Sequence, residues 1–195
     1  NINIKKQTEV GLEMGAAYDE SINFSGGIKQ LNNYVYIDSL VRVMQSGVPI
    51  NLFYTNLKLD HKLGPLRSMS NLKFTYSDNE VYPFPELYLK TALLLDHFYK
   101  KRIRYQLGLE LNYLSGFNTY GYVPSLGLFN VKEGKAIESV VYVNGIFRLE
   151  LKRFVTFIKI NQLSQILTRN SFWFISKYPV YDMSVNLGIS WKFHY

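Results

Sequence analysis

The sequence lacks cysteine, long apolar runs and helical periodicity. Its longest apolar stretches are like Ala92-Leu93-Leu94-Leu95, whereas a transmembrane helix needs about twenty consecutive apolar residues. An absence of cysteine fits both a reducing compartment and one where disulfides are not needed. The chain begins at Asn1 without a basic and apolar signal peptide, which predicts a processed chain or a fragment. These absences exclude a helical membrane protein and leave the compartment open.

Histidine is also scarce, and its placement predicts no reaction chemistry. The three histidines, His61, His97 and His194, are isolated and form no H-x-x-x-H or cysteine-based metal spacing. Asp96 and His97 are neighbours, but adjacent residues of a strand point to opposite faces and cannot act as a pair without a bulge. We therefore predict no catalytic residue, no metal site, no cofactor and no enzymatic activity.

Basic residues exceed acidic ones without forming a run. The chain has 22 Lys and Arg against 15 Asp and Glu, a net charge of +7, and it is rich in Tyr and Phe. Nucleic-acid binders cluster their basic residues, whereas here they are spread singly along the polar side of an alternating pattern. We predict no nucleic-acid partner.

What the sequence does contain is strict alternation of apolar and polar residues. The final stretch, YDMSVNLGISWKFHY, is apolar at every odd position from Met183 and polar or glycine at every even one. The same alternation runs through 8–18, 103–113 and 141–152, where only Ile146 breaks it, and less regular copies occupy 21–33, 50–62, 67–78, 86–98 and 154–165. This period of two predicts about nine strands and an all-β fold.

Strand length distinguishes a soluble β-sandwich from a transmembrane β-barrel. Strands of soluble proteins usually have five or six residues, while these have about ten to fifteen, and about nine to eleven cross a bilayer at a 45° tilt. In a membrane barrel the apolar face meets lipid and the charged face meets a watery lumen. We therefore predict an antiparallel transmembrane β-barrel. The charged residues that we expect to face its lumen are Arg102, Arg104, Glu110, Arg148, Glu150 and Lys192.

The predicted connections alternate between tight and long, as in bacterial outer-membrane barrels with short periplasmic turns and long external loops. Tight links such as YDES and FYKKR alternate with long ones such as SGFNTYGYVPSLGLFNVKEGKAIE. Placing the C-terminus in the periplasm makes every tight turn periplasmic and makes the first strand descend from outside. Because a complete barrel begins and ends in the periplasm, we expect residues 1–195 to be one barrel segment that lacks N-terminal strands.

The end of the last strand resembles the signal by which the outer-membrane assembly machinery recognises its clients. A polar residue, a glycine and two alternating aromatics make up that signal, here Asn186, Gly188, Trp191 and Phe193. The resemblance implies the assembly machinery and outer-membrane lipid as partners. The long external loops offer further contacts for protein partners.

Nearly half of the chain, at its C-terminal end, resembles the putative porins of Bacteroidota outer membranes. That family ends with a V-x-V-N strand, a basic turn, a Tyr-Pro pair and a G-x-x-W-x-F finish. The matching residues here are Asn144, Arg153, Tyr178, Pro179, Gly188, Trp191 and Phe193. The resemblance implies a porin-like channel for small solutes. A TonB-dependent transporter ends in a similar strand, and a structural or interaction barrel of a larger complex fits the same residues, so both alternatives stay open.

The terminal aromatics generate the first prediction. Replacing Trp191 and Phe193 with polar residues should leave synthesis intact but lower the amount of heat-modifiable barrel in the outer membrane, because the assembly signal is lost. Electrophoresis of unheated and heated membranes measures that amount. An unchanged folding yield would mean that the aromatics are only interface anchors.

Overall fold

A computed structural model describes residues 4–19, 21–100, 102–166, 173–175, 178–180 and 182–191. Within these residues the chain is all-β, apart from one 3₁₀ turn at Leu163–Ile166. No helix in these ranges is long and apolar enough to cross a membrane. The strands in chain order are β1 (Thr8–Tyr18), β2 (Ile22–Asn32), β3 (Val35–Ile37), β4 (Val43–Gln45), β5 (Ile50–Leu63), β6 (Leu66–Ser77), β7 (Leu87–Tyr99), β8 (Ile103–Leu114), β9 (Phe117–Val123), β10 (Leu128–Ile137), β11 (Val140–Leu151), β12 (Phe154–Asn161), β13 (Trp173–Ile175), β14 (Tyr178–Pro179) and β15 (Ser184–Trp191).

Nine strands form one antiparallel sheet in the order β1-β2-β5-β6-β7-β8-β11-β12-β15. They are the nine strands that the alternation predicts, and the all-β class is confirmed. Most bounds differ from the prediction by only a few residues. The strand expected over 154–165 ends sooner, at Asn161, because a 3₁₀ turn follows. The hydroxyl of Ser164 in that turn accepts a hydrogen bond from the Val143 amide at 3.4 Å, which ties the turn to β11.

The sheet separates charge completely between its two faces. Register and alternation place every Asp, Glu, Lys and Arg of the nine strands on one face, which we call the polar face. The opposite face, which we call the apolar face, carries aliphatic and aromatic side chains with a few uncharged polar ones. A charged side chain on the apolar face would break this pattern, and the nine strands carry none there.

The apolar face is exposed rather than packed. Leu109 and Leu187 are 53% and 73% exposed, and Leu107, Leu111 and Ile189 are also exposed. No second sheet covers this face within the described residues. A two-sheet sandwich would bury these side chains in a common core, so the sandwich alternative does not fit. Phe147 and Leu149 lie on the same face of the interior strand β11 and are half-buried.

The four tight turns predicted from the sequence are present at one end of the sheet, between β1 and β2, β5 and β6, β7 and β8, and β11 and β12. Each contains one residue with a left-handed backbone: Asp19 (φ 54°), Gly64 (φ 59°), Lys100 (φ 48°) and Lys152 (φ 45°). Such a residue lets a short link reverse the chain between long strands. We call this the turn end of the sheet, and the other the loop end.

The long connections at the loop end contain short hairpins that the alternation does not predict. β3 pairs with β4, β9 with β10, and β13 with β14. The first two hairpins contact each other, since the Asn130 side-chain amide donates to the Asp38 carbonyl at 3.4 Å. The ring of Tyr34 meets that of Tyr82 edge-on at 5.6 Å and links the first connection to the one at 78–86. These connections therefore pack on one another.

The charge separation generates a second prediction. Ile28 lies on the apolar face near the middle of β2, and Ser25 lies on the polar face of the same strand. Ile28→Arg should reduce barrel stability by about 2–4 kcal/mol if the apolar face meets hydrocarbon, whereas Ser25→Arg should change it by well under half of that. Urea unfolding of protein folded into lipid vesicles measures both. Equal effects of the two arginines would contradict a lipid-facing apolar surface.

The candidate pore-lining face

The polar face carries fifteen charged side chains on eight neighbouring strands. Nine are basic, namely Lys29, Lys58, Lys62, Arg67, Lys73, Lys90, Arg104, Arg148 and Lys159. Six are acidic, namely Glu9, Glu13, Asp60, Asp96, Glu110 and Glu150. Their pairing decides which charges remain available to a solute.

Glu110 is the most heavily contacted acid of this face. Its side chain lies at the centre of the sheet and the residue is only 6% exposed. Lys90 of β7 reaches one carboxylate oxygen at 2.8 Å, and Lys159 of β12 reaches the other at 3.3 Å. The Asn144 side chain of β11 donates to Glu110 at 2.8 Å. One carboxylate therefore ties together four strands and neutralises part of two lysines.

A second network lies nearer the turn end. Arg104 donates two hydrogen bonds to Asp96, at 2.8 and 2.6 Å, in the bidentate geometry that favours arginine. Gln106 also donates to Asp96, at 3.3 Å, and accepts from Arg148 at 3.5 Å. Glu150 lies 3.4 Å from Arg148 and 3.8 Å from Arg104. These contacts form one connected network, in which the negative charges of the two acids balance the positive charges of the two arginines.

The three remaining acids also have partners. Glu9 pairs with Lys29 at 2.9 Å, and Glu13 accepts a hydrogen bond from the Tyr54 hydroxyl at 3.1 Å. Asp60 accepts a bidentate pair of hydrogen bonds from the Arg67 guanidinium. All six acids of the polar face are thus engaged by side chains of the same face.

Three lysines of this face are different. Lys58 and Lys62 of β5 and Lys73 of β6 have no hydrogen-bond or ion-pair partner in the part of the chain that the structure describes. Their number equals the excess of nine bases over six acids. The bases without a partner among the described residues are therefore concentrated on two adjacent strands. Among the acids, Glu13 is hydrogen-bonded to the neutral Tyr54 hydroxyl rather than to a base.

Four of the expected lumen residues lie together on the polar face, namely Arg104, Glu110, Arg148 and Glu150. Arg102 lies in the turn between β7 and β8, where its amide donates to the Tyr99 carbonyl at 3.1 Å. Lys192 lies outside the described residues.

Sequence reasoning missed the three unpaired lysines because it took its candidates from the most regular strands. The available signal was alternation. Lys58 and Lys62 lie at even positions of the β5 stretch NLKLDHKL, between leucines at odd positions, and Lys73 lies between Leu72 and Phe74 of β6. Which charged side chains form ion pairs depends on the register between neighbouring strands, and no local sequence pattern reveals that register.

The residues of the terminal signal separate by face as the alternation requires. Asn186 and Gly188 lie on the polar face, and Trp191 lies on the apolar face, edge-on to Phe154 at 6.1 Å between ring centres. The Phe157 ring of β12 covers Gly188, so a side chain at that position would force the ring to move. Cross-strand packing with Phe157 in this position therefore favours glycine there. Phe193 lies outside the described residues.

The polar face shows no constellation for reaction chemistry in the described ranges. Asp96 is held by Arg104 on the polar face, whereas the His97 ring lies 5.4 Å from that of Tyr105 on the other face. The two neighbours therefore point apart. No three His, Cys, Asp or Glu side chains among the described residues gather as metal ligands do.

At the loop end, the β3–β4 hairpin is closed by a polar clasp. The Asp38 carboxylate accepts hydrogen bonds from the Leu40 and Arg42 amides at 2.9 and 2.8 Å and from the Arg42 guanidinium at 2.8 Å. These bonds, the backbone one from Arg42 foremost, hold the pKa of Asp38 below its usual value. Val41 has a left-handed φ of 62°, strained for a β-branched residue, and Leu40 is 68% exposed. The clasp thus holds an apolar tip outward.

Comparison with known families gives the geometry its context. The profile of the family described as Putative porin matches residues 1–194. The chain belongs to the Putative porin family. No curated protein matches the chain. Membership makes the nine-stranded sheet part of a transmembrane β-barrel and the protein a porin-like protein of the outer membrane. The match supports the porin resemblance seen at the C-terminal end and extends it over nearly the whole chain.

The Glu110 network of this Putative porin family member generates a third prediction. Glu110→Gln should destabilise the barrel by about 1–3 kcal/mol, because Lys90 and Lys159 lose a shared carboxylate while still reaching water. Glu9→Gln breaks an exposed pair and should cost under about 1 kcal/mol. Urea unfolding in lipid vesicles measures both variants. Equal costs would show that the central network is no stronger than a surface ion pair.

Proposed function

We propose that this protein is a porin-like channel that lets small solutes cross the outer membrane and has no reaction chemistry. The observation that carries the proposal is the complete separation of charge between the two faces of a long-stranded antiparallel sheet. An apolar face without a single charge suits lipid, and a polar face with fifteen charges suits a water-filled lumen.

The orientation follows from the ends of the sheet. Bacterial barrels place tight turns in the periplasm and long loops outside. We therefore assign the turn end, with the links at 19–21, 64–65, 100–102 and 152–153, to the periplasm. The C-terminus is then periplasmic, and the packed hairpins of the loop end are external.

The polar face also supports a direction of selectivity. Five of its six acids form ion pairs with bases of the same face. Lys58, Lys62 and Lys73 have no ion-pair or hydrogen-bond partner among the described residues, which leaves an excess of basic charge. Rings of basic residues favour anions in a pore. The preference is weak, because the excess over the nine strands is only three charges and any further strand of the barrel adds its own.

A second candidate, a structural or interaction barrel within a larger outer-membrane complex, is favoured by the loop end. Leu40, Leu126 and Phe129 are exposed apolar residues of two hairpins that contact each other. Exposed apolar side chains on outer loops are suited to a protein partner. In that case the lumen need not conduct.

Conductance distinguishes these functions and gives the fourth prediction. Protein purified from outer membranes should form channels in planar bilayers. In a potassium chloride gradient at low ionic strength, the reversal potential should indicate a weak anion preference. The shift should nearly vanish at 1 M salt, since the Debye length falls from about 30 Å at 0.01 M to about 3 Å at 1 M.

Two outcomes would contradict this function. A clear cation preference would mean that the lysines of β5 and β6 do not line the conducting path. An absence of conductance at any salt concentration would favour the interaction barrel.

A further inference from the structure

We propose that Lys58 and Lys73, with the amides of Asn23, Asn56 and Asn71, form a binding site in the lumen for small hydroxylated anions. Carboxylates and phosphate monoesters that carry hydroxyl groups, such as sugar phosphates, are the solute class. The inference rests on the proposed channel function and adds a saturable site to it.

The first argument is a row of polar side chains that crosses six neighbouring strands in register. In register order its members are Asn23, Lys58, Asn71, Lys90, Asn112 and Tyr142. Asparagine and lysine alternate along the first five positions. Lys90 is held by Glu110, which leaves Lys58 as the free cation of the row, with an asparagine on each side.

Lys73 adds a second free cation beside this row. It lies opposite Asn56 and two residues along β6 from Asn71, which is the partner of Lys58. Lys58 and Lys73 are therefore diagonal neighbours, about 7–8 Å apart on adjacent strands. Two lysine side chains at that separation are long enough to contact one carboxylate or phosphate group together.

Two buried acceptors supply an independent observation. The side-chain oxygens Oδ1 of Asn56 and Asn71 are buried and have no hydrogen-bond partner among the described residues. Buried polar atoms are nearly always paired, so an unpaired acceptor marks a place where a further donor is expected. These two acceptors belong to the residues directly opposite Lys73 and Lys58. When either amide turns its oxygen toward the lumen, a solute hydroxyl can donate to it while the anionic group is bound by the lysines.

A cavity of about 530 Å³ lies over this part of the polar face. Asn23, Lys58, Asn71 and Lys90 line it, and its volume falls within the range of ordinary small-molecule sites, about 300–1,000 Å³. Asn56 and Lys73 are not part of its lining, and they lie opposite each other one position further along β5 and β6 on the same face. Two acids also line it, but each is already bound to bases, Asp60 to Arg67 and Glu110 to Lys90 and Lys159. The charge left for a solute is positive, which selects an anion.

The test uses protein purified from outer membranes, with glucose 6-phosphate as the probe and glucose as the neutral control. Equilibrium dialysis of the detergent-solubilised protein measures binding, and planar bilayers measure concentration-dependent reduction of chloride current. We expect saturable binding and block by glucose 6-phosphate but not by glucose. Lys58→Gln with Lys73→Gln should weaken both about tenfold, since two charge-assisted contacts are lost.

A matched control separates the site from total charge. Lys100→Gln with Lys152→Gln removes two positive charges from the turns that follow β7 and β11, away from the polar face, and should leave binding unchanged. Asn71→Ala should weaken binding of glucose 6-phosphate more than that of inorganic phosphate, because only the sugar ester has hydroxyl groups for Oδ1. Heat-modifiability identifies folded variants, and the single lysine variants serve if the double variant does not fold.

The outcomes separate this site from the channel function. Conductance without saturable binding, or binding that survives the double lysine change, would overturn the site and leave the channel intact. Saturable, lysine-dependent binding without conductance would support the site and overturn the channel. Equal binding of glucose and glucose 6-phosphate would overturn the assignment to anions.

Discussion

A charge that faces hydrocarbon at the bilayer midplane costs about 2–4 kcal/mol for Arg or Lys, and this penalty organises the whole sheet. Fifteen charged residues occur in the nine strands, and all of them lie on one face. Because successive residues of a strand point to opposite faces, charges must occupy every second position to satisfy this constraint. Long, strictly alternating strands with unbroken register are the structural result.

Once the charges are confined to one face, they must be accommodated there beside one another. Glu110 is held by bases from β7 and β12, and Asp96 and Glu150 are held by Arg104 and Arg148. These ion pairs bridge strands and stabilise the wall, but they also remove the charges from interaction with a solute. In the channel that we propose, selectivity depends on the lysines of β5 and β6 that form no ion pair among the described residues. On that proposal, the charges that hold the wall together and the charges that act on a solute belong to distinct residues.

Much of the fold was predictable from sequence, because alternation is a local property. The nine strands, the four tight turns and the face of Arg104 or Glu110 all follow from period two. The hairpins β3–β4 and β9–β10 did not follow, since their short strands lie in loops of mixed composition. Pairing was not predictable either, because the neighbours of Glu110 lie on other strands and depend on register. Lys58 and Lys62 of β5 were overlooked for the same reason. They differ from the paired charged residues only in having no partner in the described residues, and partners depend on register.

The natural absence of cysteine makes one direct measurement of the two-faced sheet straightforward. Single cysteines placed in turn at 69–74 of β6, in protein folded into lipid vesicles, can be reacted with a water-soluble maleimide and with a fluorophore sensitive to lipid-attached quenchers. The account predicts a period of two. Positions 69, 71 and 73 should react with the aqueous reagent, and positions 70, 72 and 74 should be quenched from the lipid. Uniform reactivity, or quenching at 71 and 73, would contradict the assignment of the charged face to a water-filled lumen.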